Sequence, residues 1–292
     1  IHPRRYRELF RKEGGEQAKI CGYSIDLSAK TGKARYGWHV TSRIDDRPVE
    51  TEFDVLVWSD IVRDSMDQGI LATYGQLFRT AWAYIASGAL FRLMQLRKGP
   101  VIAALYPVGF LLLQLGLAVL AAWGVGQVLG LLHPWLAWAG VIVLPVVLEW
   151  FRRHDNRFFA YYLMHDYSYS ARYRGANPPE LETRMAEFTD EIAAALREDV
   201  DEVLVVGHSS GAHLAVSILA DLIRAGALPA NGPALAFLSL GQVVPMVSFL
   251  PDAHRLRADL QYLSARNELA WIDVTAPGDG CAFALCDPVA VS

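Results

Sequence analysis

Cysteine is scarce in this sequence, and over one long stretch so is charge. The 292-residue chain has three cysteines, Cys21, Cys281 and Cys286. That is too few, and odd in number, for the disulfide framework of a secreted chain of this length, so reduced thiols in a cytoplasmic compartment are expected. The histidines and cysteines show no metal-ligand spacing, and no metal is expected. The formal net charge is −4 with no long basic run, which excludes the electrostatic footprint of a nucleic-acid binder. Internal repeats and low-complexity linkers are absent, and the first residue is Ile1, with neither an initiator methionine nor a signal peptide before the first helix.

Hydrophobic residues make up 53% of the chain and charged residues 20%, so the apolar excess has to be concentrated somewhere. Residues 99–148 contain no Asp, Glu, Lys or Arg, and the run is broken only near Gly130-Leu131-Leu132-His133-Pro134. Because a bilayer-spanning helix needs about 20 apolar residues, this run holds two of them joined by a short turn. The alternative, two wholly buried helices in a soluble core, requires helices that are apolar all round for an unusual length. Arg92, Arg97 and Lys98 flank one end and Arg152, Arg153 and Arg157 the other, while the central turn has no formal charge. The positive-inside rule then puts both ends, and the rest of the protein, on the cytoplasmic side of an inner or plasma membrane. Trp123, Trp135, Trp138 and Trp150 suit membrane interfaces. With Gln114, Gln127 and His133 as the only strongly polar side chains of the run, no charge relay of the transporter kind is present.

Residues 201–215 carry the chemistry. The β-branched run from Val203 to Val206 reads as a strand buried on both faces, and after Gly211 the apolar spacing becomes that of a helix. Between them lies Gly207-His208-Ser209-Ser210-Gly211, a G-x-S-x-G sequence in which two glycines permit a sharp turn that lifts Ser209 out of the sheet. The first N–H groups of the following helix, that of Ser210 foremost, are placed to stabilise an oxyanion. This stretch resembles the nucleophile elbow of the α/β-hydrolase superfamily of serine esterases and lipases, with His208 matching the GHSxG form of lipases. The resemblance implies a serine hydrolase acting on an ester, lipid-like where the chain is tethered to a bilayer, through an acyl-enzyme on Ser209 and without metal or organic cofactor. It also implies an acid after a later strand. Asp279, in a Pro-Gly turn, is the first choice and Asp287 the second, with Asp273, inside the strand, expected to make structural hydrogen bonds.

The family order also requires a histidine after the acid, and none follows Asp279. His213 and His254 precede it; the first is expected to pack locally. The second oxyanion N–H of the family comes from a loop ahead of where this chain begins. The expectation is therefore an internal piece of a longer hydrolase, or else a non-catalytic membrane-anchored scaffold that keeps the elbow. The expected fold is α/β, a mostly parallel sheet with flanking helices of the α/β-hydrolase kind, into which a hydrophobic transmembrane helical hairpin is inserted. Its three parts are residues 1–98, the hairpin 99–157, and the elbow-bearing part 158–292. Ahead of the hairpin the pattern predicts a helix over 3–13, strands over 18–24, 35–43 and 50–58 with a turn at Asp45-Asp46-Arg47-Pro48, lone His39 as a structural or surface residue, and a helix over 70–97. Behind it, helices are predicted over 158–166, 177–197, 210–225 and 251–264 and strands over 234–240 and 268–274.

Overall fold

The computed structural model describes residues 3–30, 36–58, 60–61 and 69–292. Contacts divide the chain into two compact units, residues 1–61 and 62–292. In the first, helix α1 (Pro3–Cys21) precedes three antiparallel strands, β1 (Ser24–Ala29), β2 (Gly37–Ile44) and β3 (Arg47–Asp54), in the order β1-β2-β3. Asp45 and Asp46 close the β2–β3 hairpin with φ of 49° and 61°. Paired positive φ belongs to the two-residue turn that matches strand twist, and Asp tolerates it well. Trp38 stacks on Phe53 across the hairpin with ring centroids 5.2 Å apart, and Phe10 of α1 lies 4.8 Å from Phe53. His39 faces Glu52 across the same pair, its Nδ1 at 2.7 Å from Oε1, which is the structural role expected for it.

In the second unit the predicted helix over 70–97 is two helices, α2 (Ile70–Ala86) and α3 (Ala89–Leu96), broken where Gly88 takes a φ of 71°. Next come α4 (Lys98–Gly130), a 3-10 helix (Pro134–Ile142) and α5 (Val143–Arg153). Both limbs of this hairpin are long and apolar enough to cross a membrane. Only 17% and 11% of their most apolar windows are buried, so the two limbs are not the buried pair of a soluble core. Small residues hold them together. A Cβ on Gly126 would meet Ala137 O at 2.8 Å, and one on Gly140 would collide with Ala122 O, the backbone approach typical of helices packing without a hydrophobic drive.

Short α6 (Asp155–Phe158), α7 (Ala160–Arg172) and α8 (Pro179–Ala195) lead to a three-stranded parallel sheet of β4 (Glu202–His208), β5 (Ala234–Leu240) and β6 (Ala270–Val274). Its connections contain α9 (Ser210–Arg224), α10 (Val244–Ser248) and α11 (His254–Ser264). α9 packs on β4 and between α8 and α11, with Ala212, Leu214, Val216, Leu219 and Leu222 all buried.

The expected α/β fold with one mostly parallel hydrolase-like sheet is overturned. Helices take up 59% of the described residues, and the described strands form two separate sheets of three, one antiparallel and one parallel. The reason is pairing: β1–β3 satisfy one another through a local hairpin and meander, and only β4, β5 and β6 are linked by the helical crossovers that a parallel sheet requires. Nor is β4 buried on both faces. Leu204 and Val206 remain half exposed, as do Ile272 and Val274 on β6, while Gly207 is buried.

Candidate active site

β4 ends at His208, and Ser209 turns the chain into α9 with φ 54° and ψ −118°. This is a left-handed conformation that costs a non-glycine residue about 1–3 kcal/mol and persists only where the surroundings impose it. Two constraints do so here. Ser209 N–H donates to Leu240 O at the end of β5 at 2.9 Å, and Ser209 O accepts from Ala212 N–H at 3.1 Å in the first turn of α9. Gly207 makes the turn sterically possible, since a Cβ there would sit 2.8 Å from Ala212 Cα and 2.9 Å from Gly211 O. Ser209, Ser210 and Gly211 are half-buried and His208 is exposed. The N–H groups of Ser210 and Gly211 belong to the first turn of α9, where no intrahelical acceptor exists. An anion beside Ser209 would thus meet free backbone donors at the positive end of the helix.

The structure brings the first-choice acid to the same edge of the sheet. Gly241, directly after Leu240, has a φ of 53° and donates to Val274 O at 2.9 Å, and a Cβ on it would lie 3.5 Å from Asp279 Oδ2. Ser209 thus adjoins Leu240, and Asp279 adjoins the next residue, Gly241. Asp279 also shapes its turn: Oδ1 accepts from Cys281 N–H at 2.8 Å and its own N–H donates to Ala276 O at 2.9 Å. Asp287 caps a turn of its own, accepting from Val289 N–H at 2.8 Å and Ala290 N–H at 3.3 Å. Asp273 has the structural role expected of it. Ser239 Oγ donates to it at 2.5 Å and accepts from Trp271 Nε1 at 3.0 Å, and burial pushes the Asp273 carboxyl above the ordinary range, with Asp287 adding to the rise.

The two histidines that follow Ser209 in the chain lie in different settings. His213, one turn into α9, is buried, its Nδ1 has no hydrogen-bond partner, and burial pushes its pKa down to about 4. His254 is exposed, with Nδ1 3.1 Å from Arg257 Nη2. Among the described residues no group of three or more His, Cys, Asp or Glu side chains is arranged to hold a metal ion.

Two residues that sequence reasoning passed over set the geometry of the acid's turn. Arg97, at the root of α4, donates from Nη1 to Ala284 O at 2.9 Å and from Nη2 to Pro277 O at 2.6 Å, bracketing Asp279. Buried Gln242 donates to Phe283 O and Cys286 O and accepts from Val244 N–H. Their side chains answer carbonyls far along the chain, so no local pattern announces them; Arg97 reads in sequence only as a flanking charge. An open depression of about 670 Å3 lies elsewhere, lined by Arg92, Gln95, Phe249 and Arg257 among others, and none of Ser209, Ser210 or Asp279 contributes to it. No family model, curated protein or solved structure matches this chain.

Proposed function

We propose that this protein is a membrane-anchored serine hydrolase that cleaves ester bonds through Ser209. The observation that carries the reading is Ser209, held at φ 54° and ψ −118° between the end of a parallel strand and a helix N-terminus. Such strain clusters at functional sites. In the proposed reaction Ser209 Oγ attacks the ester carbonyl carbon while its proton passes to a histidine, and Ser210 N–H takes up the oxyanion charge. The C–O bond to the alcohol breaks as the histidine returns the proton to the leaving oxygen. Water, deprotonated by the same histidine, then attacks the acyl-enzyme and releases the acid and Ser209. In this reading Asp279 orients the histidine, a role that the buried His213 does not fill.

In this reading the two apolar helices anchor the protein in a bilayer, and the basic residues at their outer ends, Lys98 on one limb and Arg152 and Arg153 on the other, support a cytoplasmic site by the positive-inside rule. A lipid-like ester is the substrate that such an anchor would serve. The unplaced base favours a second reading, a membrane-anchored scaffold in which the elbow is structural. A fluorophosphonate probe applied to the protein in membranes separates the two. Labelling of wild type but not of Ser209→Ala is expected for the hydrolase, whereas unlabelled, folded wild-type protein would leave the scaffold.

A further inference from the structure

We propose that α2 is a third membrane-contacting element, which enters the membrane–water interface obliquely with the stripe Leu71, Phe78, Trp82 and Ile85 against lipid. The inference rests on the reading that α4 and its partner limb cross a bilayer. The four side chains are 89%, 71%, 63% and 48% exposed, and their spacing of seven, four and three residues places them on one helix face. The opposite face, Thr73, Leu77, Thr80 and Tyr84, is buried. α2 has a single charged residue, Arg79, so its outer face is an apolar surface with nothing described upon it, and surfaces of that kind mark a contact with a partner or a membrane.

Depth along the hairpin identifies the occupant. α4 is about 50 Å long, more than the roughly 30 Å of bilayer hydrocarbon, so part of it lies outside. Pro107 lies within it, and the portion beyond, residues 108–130, measures about 34 Å. The other limb, Pro134–Arg153, reaches the same length of about 34 Å, because its first half is a stretched 3-10 helix. The two limbs end level with each other on the charged side. There Phe110 packs edge-on against Phe151 with centroids 6.4 Å apart and lies 5.0 Å from Phe158, and Tyr106 Oη donates to Phe158 O at 2.8 Å. The Glu149 ion pairs with Arg152 and Arg153 mark the same level. One boundary of the hydrocarbon thus falls between Pro107 and Phe110.

α2 crosses that boundary. Tyr74 Oη donates to Leu111 O at 2.9 Å, and Leu77 clusters with Leu111, Tyr161 and Met164, whereas Tyr84 packs with Val101. α2 therefore runs antiparallel to α4. By the Tyr74–Leu111 contact its first turn lies on the hydrocarbon side of the boundary, the depth at which Leu112 and Leu113 of α4 are also exposed. By this register Leu71 sits in hydrocarbon and Phe78 at its edge. Trp82 then lies among the headgroups and Ile85 at their outer margin, with Arg79 placed to reach a lipid phosphate.

The test is site-directed spin labelling in vesicles of phosphatidylcholine and phosphatidylglycerol. Cys21, Cys281 and Cys286 are replaced by Ser, and Leu71→Cys, Phe78→Cys, Trp82→Cys and Ile85→Cys are labelled singly, with Leu120→Cys on α4 as reference. Accessibility to oxygen relative to a water-soluble nickel chelate should be high at Leu120 and Leu71 and fall several-fold through Phe78 and Trp82 to Ile85. Water-like values at all four α2 positions beside a lipid-like Leu120 would overturn the inference and leave the anchoring intact. Shielding of α2 from both reagents would mean that a second copy or another protein covers it, which also overturns the inference. A water-like Leu120 would remove the membrane reading itself.

Discussion

His213 allows a test of the packing beneath the candidate nucleophile. Its imidazole is enclosed by α9 and its neighbours, with Nδ1 unpartnered, and burial lowers its pKa from 6.5 to about 4. The neutral ring fits this enclosure and the charged ring does not. In the unfolded chain the same histidine takes up a proton near its ordinary pKa. Between those two values the unfolded state binds more protons than the folded one, so the stability associated with His213 is fully present above about pH 6.5. It is lost progressively as pH falls toward 4. One pKa unit corresponds to about 1.4 kcal/mol, so going from pH 7 to pH 5 should cost about 2 kcal/mol through this residue alone. Other groups contribute to the total, and a mutant comparison cancels them. His213→Leu replaces the ring with an apolar side chain of similar volume and has no proton to bind. Unfolding free energies from urea titrations in neutral detergent at pH 7 and pH 5 should therefore fall by about 2 kcal/mol more in wild type than in His213→Leu. Equal losses in the two proteins would refute the reasoning, because they would mean that the ring reaches water or finds a partner when charged.

Two further predictions concern the elbow and the acid. Gly207→Ala places a methyl group 2.8 Å from Ala212 Cα and 2.9 Å from Gly211 O. Both are backbone atoms of the α9 turn, so denaturant unfolding should show a loss of about 1–3 kcal/mol, with fluorophosphonate labelling weakened in parallel. Asp279→Asn keeps an oxygen for Cys281 N–H, so the turn and the unfolding free energy should stay close to wild type. If the carboxylate orients a histidine, ester turnover should nevertheless drop on the order of 10^3-fold or more; unchanged turnover would reduce Asp279 to a turn residue.

The elbow was legible because its requirement is local. A buried Gly207, a serine at positive φ and a helix starting at Ser210 are all written within five consecutive residues. The apolar limbs were legible for the same reason, since composition alone determines whether a helix is long and apolar enough to cross a membrane. Sheet membership was not. Val203 to Val206 alternates no polar residues, and such a run fits a strand covered on both faces equally well as one whose Leu204 and Val206 remain open. Only the arrangement of the other elements decides between them. The first helix shows the same competition. Gly14-Gly15 reads as a stop, each glycine costing about 1 kcal/mol against alanine. Yet α1 continues to Cys21, burying Ala18 and packing near Ile25 of β1, so the predicted strand over 18–24 begins only at Ser24. Tertiary burial outweighs the propensity there.

Strain at Ser209 also permits a test that needs no substrate. At φ 54° and ψ −118° an L side chain is crowded by its own backbone, whereas glycine adopts the conformation without penalty. Ser209 is fixed there by Leu240 O and by the first turn of α9, so the conformation survives substitution and only its cost changes. Ser209→Ala retains the Cβ and the strain; Ser209→Gly removes both. The glycine variant should therefore be the more stable of the two by about 1–2 kcal/mol through relief of strain, to which the ordinary N-cap preference for glycine over alanine adds. Ser209 is half-buried, but both variants lose the same hydroxyl, so the comparison between them isolates the Cβ and the backbone. Urea unfolding of the two variants under one set of conditions reads the difference directly. A glycine variant no more stable than alanine would mean that the turn relaxes and Ser209 is not held under strain. Were that so, the reading of this position as a poised nucleophile would lose the observation that carries it.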